Sequence, residues 1–135
     1  MENVKTIAVN AAVIIVICLL MLVGNTYFRQ HQQFNKGEAA LGRGDFIAAI
    51  AGYESAIHMY TPGSSTVRIS AEKLWALGNA FESAGDKQKA LIAYRSLRSS
   101  FYSAQGLFTP GMEWIARCDD KIALLTGKPA HGSSR

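Results

Sequence analysis

Glu54 and His58 stand four residues apart in "YESAIH", a spacing that puts a carboxylate and an imidazole on one face of a helix, where they could share a proton or begin a metal site. A metal needs further ligands, and the other histidines, His31 and His131, occur singly and far away, so no metal is expected. The chain has no Gly-rich phosphate loop, no Gly-x-Ser-x-Gly elbow and no Cys-x-x-Cys pair, so neither catalysis nor a cofactor is expected. Cys18 lies in an apolar run and Cys118 near the other end; they are not expected to bridge, and Cys118 reads as a small buried apolar side chain. Arg43-Gly44-Asp45 spells an adhesion tripeptide, yet Gly44-Asp45 reads as a turn between helices and Arg43 as a last-turn cation.

The elements that position these residues begin with an anchor. From Ile7 to Gly24, "IAVNAAVIIVICLLMLVG", no side chain is charged and Asn10 is the one strongly polar member. Extended by Val4, Tyr27 and Phe28, the run reaches the ~20 residues that cross a bilayer core as a helix. It exceeds the apolar stretch of a cleaved signal, about 7–15 residues, and "VGNTYFRQ" offers no small-x-small cleavage site. Residues 1–28 are expected to form a single transmembrane helix, in a setting that fits a bacterial inner membrane. Lys5, offset by Glu2, precedes the run, whereas Arg29, Lys36 and Arg43 follow it. That flank favours the cytoplasm for the rest of the chain, with the extracytoplasmic side as the alternative. Ala8 and Ala12 make a small-xxx-small pair with Asn10 between them, a candidate contact for another membrane helix; a place for Asn10 near the headgroups is the other reading.

Past the anchor the periodicity is helical. Leu74, Leu77 and Phe81 form one apolar stripe and Ala90, Tyr94, Leu97 and Phe101 another, with Gly85 stopping the first helix and Asp86 capping the second. The same grammar appears 41 residues earlier, where Phe34, Gly37 and Leu41 precede Gly44-Asp45, and Phe46, Ala49, Ile50, Tyr53 and Ile57 make the returning face. Gly37, Gly78, Ala49 and Ala90 are expected where helices cross closely. "TPGMEWIARCDDKIALL" is expected to open a fifth helix at Thr109 and Pro110, with Trp114, Ile115, Cys118, Ile122 and Leu125 on its inner face and Arg117, Asp119, Asp120 and Lys121 in water. No proline interrupts Gly24 to Gly42, so the anchor is able to run straight into the first helix of the soluble part. Residues 127–135 show no periodicity and are expected to be disordered.

"LWALGNAFESAGDKQKALIAYRSL" resembles a tetratricopeptide repeat at Leu74, Leu77-Gly78, Phe81, Gly85-Asp86, Ala90 and Tyr94, and departs from it at Leu97, where a small residue is usual. The first copy matches at Gly37, Ala40, Gly44-Asp45, Ala49, Tyr53 and Ala56, with Pro62 one step late. A spacing of 41 against roughly 34 in that family implies an inserted loop, Thr61 to Ser70. The resemblance implies an all-α fold: helix pairs over about 30–60 and 70–103, closed by a capping helix over about 110–126, together a domain of residues 29–126. It also implies a groove for protein partners, lined by His31, Phe34, Asn35, Glu38 and Leu41 from the first copy and by Glu72, Trp75, Asn79, Glu82 and Ser83 from the second. Two orientations of Trp75 stay open, one into the groove and one packed on the first repeat or the inserted loop. Only Asn79 matches the family's clamp for a terminal carboxylate, so such a ligand is not implied.

The net charge of +4 is modest, and no aromatic-and-basic platform suggests nucleic acid. Lys87, Lys89, Arg95 and Arg98 form the densest basic region, read as a solvated helix face or as a surface for anionic lipid or an acidic partner. The expected function is that of a membrane-anchored adaptor or accessory subunit of a membrane complex. The alternative is a structural subunit that assembles through its membrane helix, with self-association open to it.

Overall fold

The computed structural model describes residues 1–128; the rest of the tail, with His131, lies outside the described residues. Among the described residues the chain forms α1 (Glu2–Gly42), α2 (Phe46–His58), α3 (Ser65–Ser83), α4 (Lys87–Ser103) and α5 (Met112–Thr126), and no strand. The two Gly-Asp pairs explain the first and third turns. In each, the glycine takes a left-handed conformation, φ +74° at Gly44 and +78° at Gly85, which costs a residue without a Cβ little. Asp45 N–H donates to Ala40 O (3.0 Å) and Gly44 N–H to Leu41 O (3.0 Å); Asp86 N–H and Gly85 N–H repeat this on Phe81 O (2.9 Å) and Glu82 O (3.0 Å). These are two identical Schellman closures. The same aspartates then start the next helix, each accepting an N–H three residues on, Ala48 and Lys89, at 3.1 Å.

α1 spans 41 residues, about 60 Å at 1.5 Å per residue, and passes Gly24 and Asn25 without a break. It is long and apolar enough to cross a membrane: its most apolar window has a mean hydropathy of 2.9 and none of it is buried. From Gln30 onward the same helix joins a bundle, burying Gln30, Gly37 and Ala40 and packing Phe34 and Leu41 against the core. α1 pairs with α2 and α3 with α4 as antiparallel hairpins, and α5 packs on α4. Ion pairs and rings join α1 to α3 and α3 to α5, and α2 touches α4, so odd helices form one layer and even helices another. Tyr53, Ile57, Leu74, Leu97 and Tyr94 fill the space between them.

The helix directions fix the ends of the bundle. Gln30, at the start of the bundled part of α1, meets Ala56 and Met59 at the end of α2 and Ser64 just before α3. Phe101, late in α4, lies against Gly111 just before α5. The α2–α3 and α4–α5 loops therefore sit where the apolar segment leaves the bundle, and both Gly-Asp turns sit at the far end.

Close crossings need small residues. A Cβ on Gly52 would lie 2.6 Å from the Gly37 backbone, and one on Gly78 would lie 2.4 Å from the Tyr94 ring. Gly52 belongs to the first crossing as much as Gly37 and Ala49, although only the latter two are evident from the repeat. Two helix starts differ from expectation. α3 begins at Ser65 rather than after Ser70, because Thr66, Val67, Ser70 and Ala71 continue the buried stripe of Leu74 backwards by one-turn steps. α5 begins at Met112 rather than at Thr109 and Pro110: left-handed Gly111 (φ +73°) precedes it, and Phe101 occupies the place of any Cβ there.

Candidate functional site

The odd helices carry all the residues named as a groove, and several of their side chains are tied to neighbouring helices. In the first hairpin the Tyr53 hydroxyl donates to the Glu38 carboxylate, which also holds Lys73 of α3, with Nζ 2.9 Å from Oε1. The second hairpin repeats the device one step along. Tyr94 Oη lies 2.7 Å from Asn79 Oδ1 and 2.8 Å from Glu82 Oε2, and Lys121 of α5 pairs with Glu82 at 2.8 Å. Each unit joins a tyrosine on an even helix, a carboxylate on the preceding odd helix and a lysine on the next odd helix. The hydrogen bond from Tyr53, then Lys73, holds Glu38 below the usual carboxylate range. Lys121 and then Tyr94 do the same for Glu82. Burial, reinforced by the carboxylates, pushes both tyrosine hydroxyls well up. These groups are fixed donors and acceptors at neutral pH, not proton shuttles.

Beside the second unit, sharing Tyr94 with it, lies an aromatic cluster of α3 and α5. The Trp75 ring centroid is 5.2 Å from that of Tyr94 and 6.1 Å from that of Trp114, and Arg117 lays its guanidinium 4.3 Å from the first indole and 4.6 Å from the second. Trp75 is thus half-buried, with its ring on Tyr94 of α4 and Trp114 of α5, and Arg117 keeps an exposed outer face. Lys121 and Asp119, expected in water, reach back instead: Asp119 pairs with Arg98 at 2.8 Å. Phe34 packs on Tyr53 at 5.7 Å and Leu41 on the core, which leaves Asn35 and His31 as the exposed members of the first set, with the His31 ring stacked 6.4 Å from Phe34.

The other expected constellations separate. Ala8, Asn10 and Ala12 are all exposed on α1, but two residues turn a helix by about 200°, so Asn10 projects from the side opposite the alanines. The basic region is divided as well, with Lys89 held by Asp86 at 2.9 Å and Arg98 by Asp119. Glu54 lies 3.8 Å from His58 and accepts from Ser96 at 3.2 Å. No third ligand joins them among the described residues. Cys118 is buried, and that burial pushes its thiol up to about 12.

Sequence reasoning missed Gln30. It is wholly buried; its amide donates to Ala56 O (3.1 Å) and Met59 O (2.8 Å), the open carbonyls at the end of α2, and accepts from Ser64 Oγ (2.6 Å). The signal was the stripe Phe34, Gly37, Leu41, which continued backwards by one turn arrives at residue 30. No family model, curated protein or solved structure matches the sequence.

Proposed function

We propose that this chain is a membrane-anchored helical adaptor, a tetratricopeptide-like module that presents the odd-helix layer to a protein partner in a membrane complex. The observation that carries this reading is α1, which is at once the apolar segment and the first helix of the bundle, so that the layer is held at a fixed angle to the anchor. The repeated closures at Gly44-Asp45 and Gly85-Asp86 support the likeness to that family. With Glu38 and Glu82 engaged internally, the adhesive part of the layer is the Trp75–Arg117–Trp114 cluster, half-exposed rings topped by a cation without an ion-pair partner among the described residues. The cytoplasm is the proposed side, from the basic residues that follow the span.

That internal pairing also favours a second reading, a structural subunit that assembles through the Ala8–Ala12 face of α1. One experiment separates them: purification of the full chain in mild detergent, with identification of co-purifying proteins for wild type, Arg117→Ala and Ala8→Leu/Ala12→Leu. Loss of the partner with Arg117→Ala supports the adaptor, and loss only with the alanine pair supports the subunit. Unchanged partners in both variants refute both.

A further inference from the structure

The bundle is polarised along α1. Its far end carries Arg43, Asp45, Asp86, Lys87 and Lys89 around the two Gly-Asp turns. The end from which the apolar segment emerges is different. No charged residue occurs between Arg98 and Glu113, a stretch that contains the whole α4–α5 loop, and none between His58 and Arg68, which contains the α2–α3 loop. Within the first stretch four large side chains face outward: Tyr102, Leu107, Phe108 and Met112. Gly106 N–H donates to Phe108 O at 3.0 Å, closing a tight turn that lifts Leu107 to its tip, where it is 100% exposed, with Phe108 beside it at 67%.

Such a cluster is costly in water and marks a surface that meets something apolar. The position of the loop names the occupant. Gln30, two residues past Phe28, bonds to Ser64, and Ser64 and Arg68 line one cleft with Phe101, Gly111 and Trp114, so the two loops are neighbours beside the root of the apolar segment. We propose that the Tyr102–Met112 loop rests in the lipid–water boundary of the bilayer that α1 crosses, as a second, shallow contact seating the bundle on the membrane. The inference rests on the reading of α1 as a membrane span. Aromatic and aliphatic side chains on an uncharged turn suit this boundary, in which an apolar face sinks about 5–10 Å. The basic residues Lys87 and Lys89, first candidates for lipid contact, stand at the wrong end for it.

The test uses the full chain in phosphatidylcholine–phosphatidylglycerol vesicles, with an environment-sensitive fluorophore placed on one cysteine at a time. Leu107→Cys and Phe108→Cys, each in a Cys18→Ser background, probe the loop; Gln88→Cys in the same background probes the far end; native Cys18 probes the anchor. Cys118 is buried and does not compete for the label. Spin-labelled lipids with the nitroxide high on the acyl chain are expected to quench the probes at 107 and 108 and shift their emission to the blue, leaving 88 unchanged. If Cys18 is quenched while 107 and 108 read water like 88, the loop contact is wrong and the anchor stands. If Cys18, about 15 Å along the helix from Phe28, escapes quenching by lipids with the nitroxide deep on the acyl chain, the anchor reading falls and this contact with it. If 107 and 108 are shielded from aqueous iodide yet untouched by lipid nitroxides, a protein surface covers the loop and the proposal is overturned.

Discussion

Replacing Gln30 by methionine keeps the length and nearly the volume of the side chain and deletes its polar atoms. In the folded protein this strips Ala56 O of its partner, leaves Met59 O with only a long contact from Thr61 (3.4 Å), and removes the acceptor of Ser64 Oγ. A buried polar group left unpaired costs about 1–3 kcal/mol, so two carbonyls at a wholly buried site give a loss of about 3 kcal/mol. For a bundle of this size that lowers the thermal midpoint by about 10–20 °C. The assay is tryptophan fluorescence of the full chain in nanodiscs: both tryptophans, Trp75 and Trp114, belong to the bundle, so unfolding is read without the apolar segment. Had Gln30 merely filled space, methionine would be nearly neutral, since volume-conserving swaps usually cost below about 1.5 kcal/mol. A loss under about 0.5 kcal/mol would refute the reasoning, because it would mean that the carbonyls of α2 need no partner from α1.

Gly52→Ala brings a methyl to 2.6 Å from the Gly37 backbone, and a net loss of about 2 kcal/mol is expected in urea titration even after a helix-propensity gain of about 1 kcal/mol. Gly24→Ala, with open space around it, should cost nothing. Glu38 and Glu82 both ionise below their ordinary 4.5, so their stabilisation is complete above that pH and is lost as pH falls through the lowered folded values. The double change Glu38→Gln/Glu82→Gln should therefore flatten the acid limb of the stability curve. With its thiol pushed up to about 12, Cys118 is almost wholly protonated at pH 8, and a thiol reagent should modify it only along the urea unfolding curve, never at the rate of a free cysteine.

The parts of the fold legible in the sequence are those set by short-range chemistry. A glycine able to take positive φ followed by a side chain able to cap a helix needs no distant information, which is why both Gly-Asp turns and the start of α4 at Lys87 could be placed. The unbroken α1 follows from an apolar run with no proline after it. Long-range pairings were hidden. The partners of Gln30 lie at Ala56, Met59 and Ser64, and Lys121 finds Glu82 a full repeat away. Nothing in the local spacing announces such contacts. Composition misled at Thr61–Ser70: its glycine, proline and serines read as a loop, yet Thr66 and Ser70 face inward on α3. Trp75 was ambiguous because a half-buried indole satisfies both a core pattern and a surface pattern until its neighbours Trp114 and Arg117 are known.

The central claim is that one continuous helix serves as both apolar segment and first member of the bundle. Pulsed electron–electron spin resonance between labels at Glu2→Cys and Lys36→Cys, in a Cys18→Ser background in nanodiscs, tests it directly. A straight helix separates these positions by about 51 Å, and a single narrow distance peak there is the expected result. A broad distribution, or one centred well below it, would place a hinge near Gly24 and Asn25 and contradict the account.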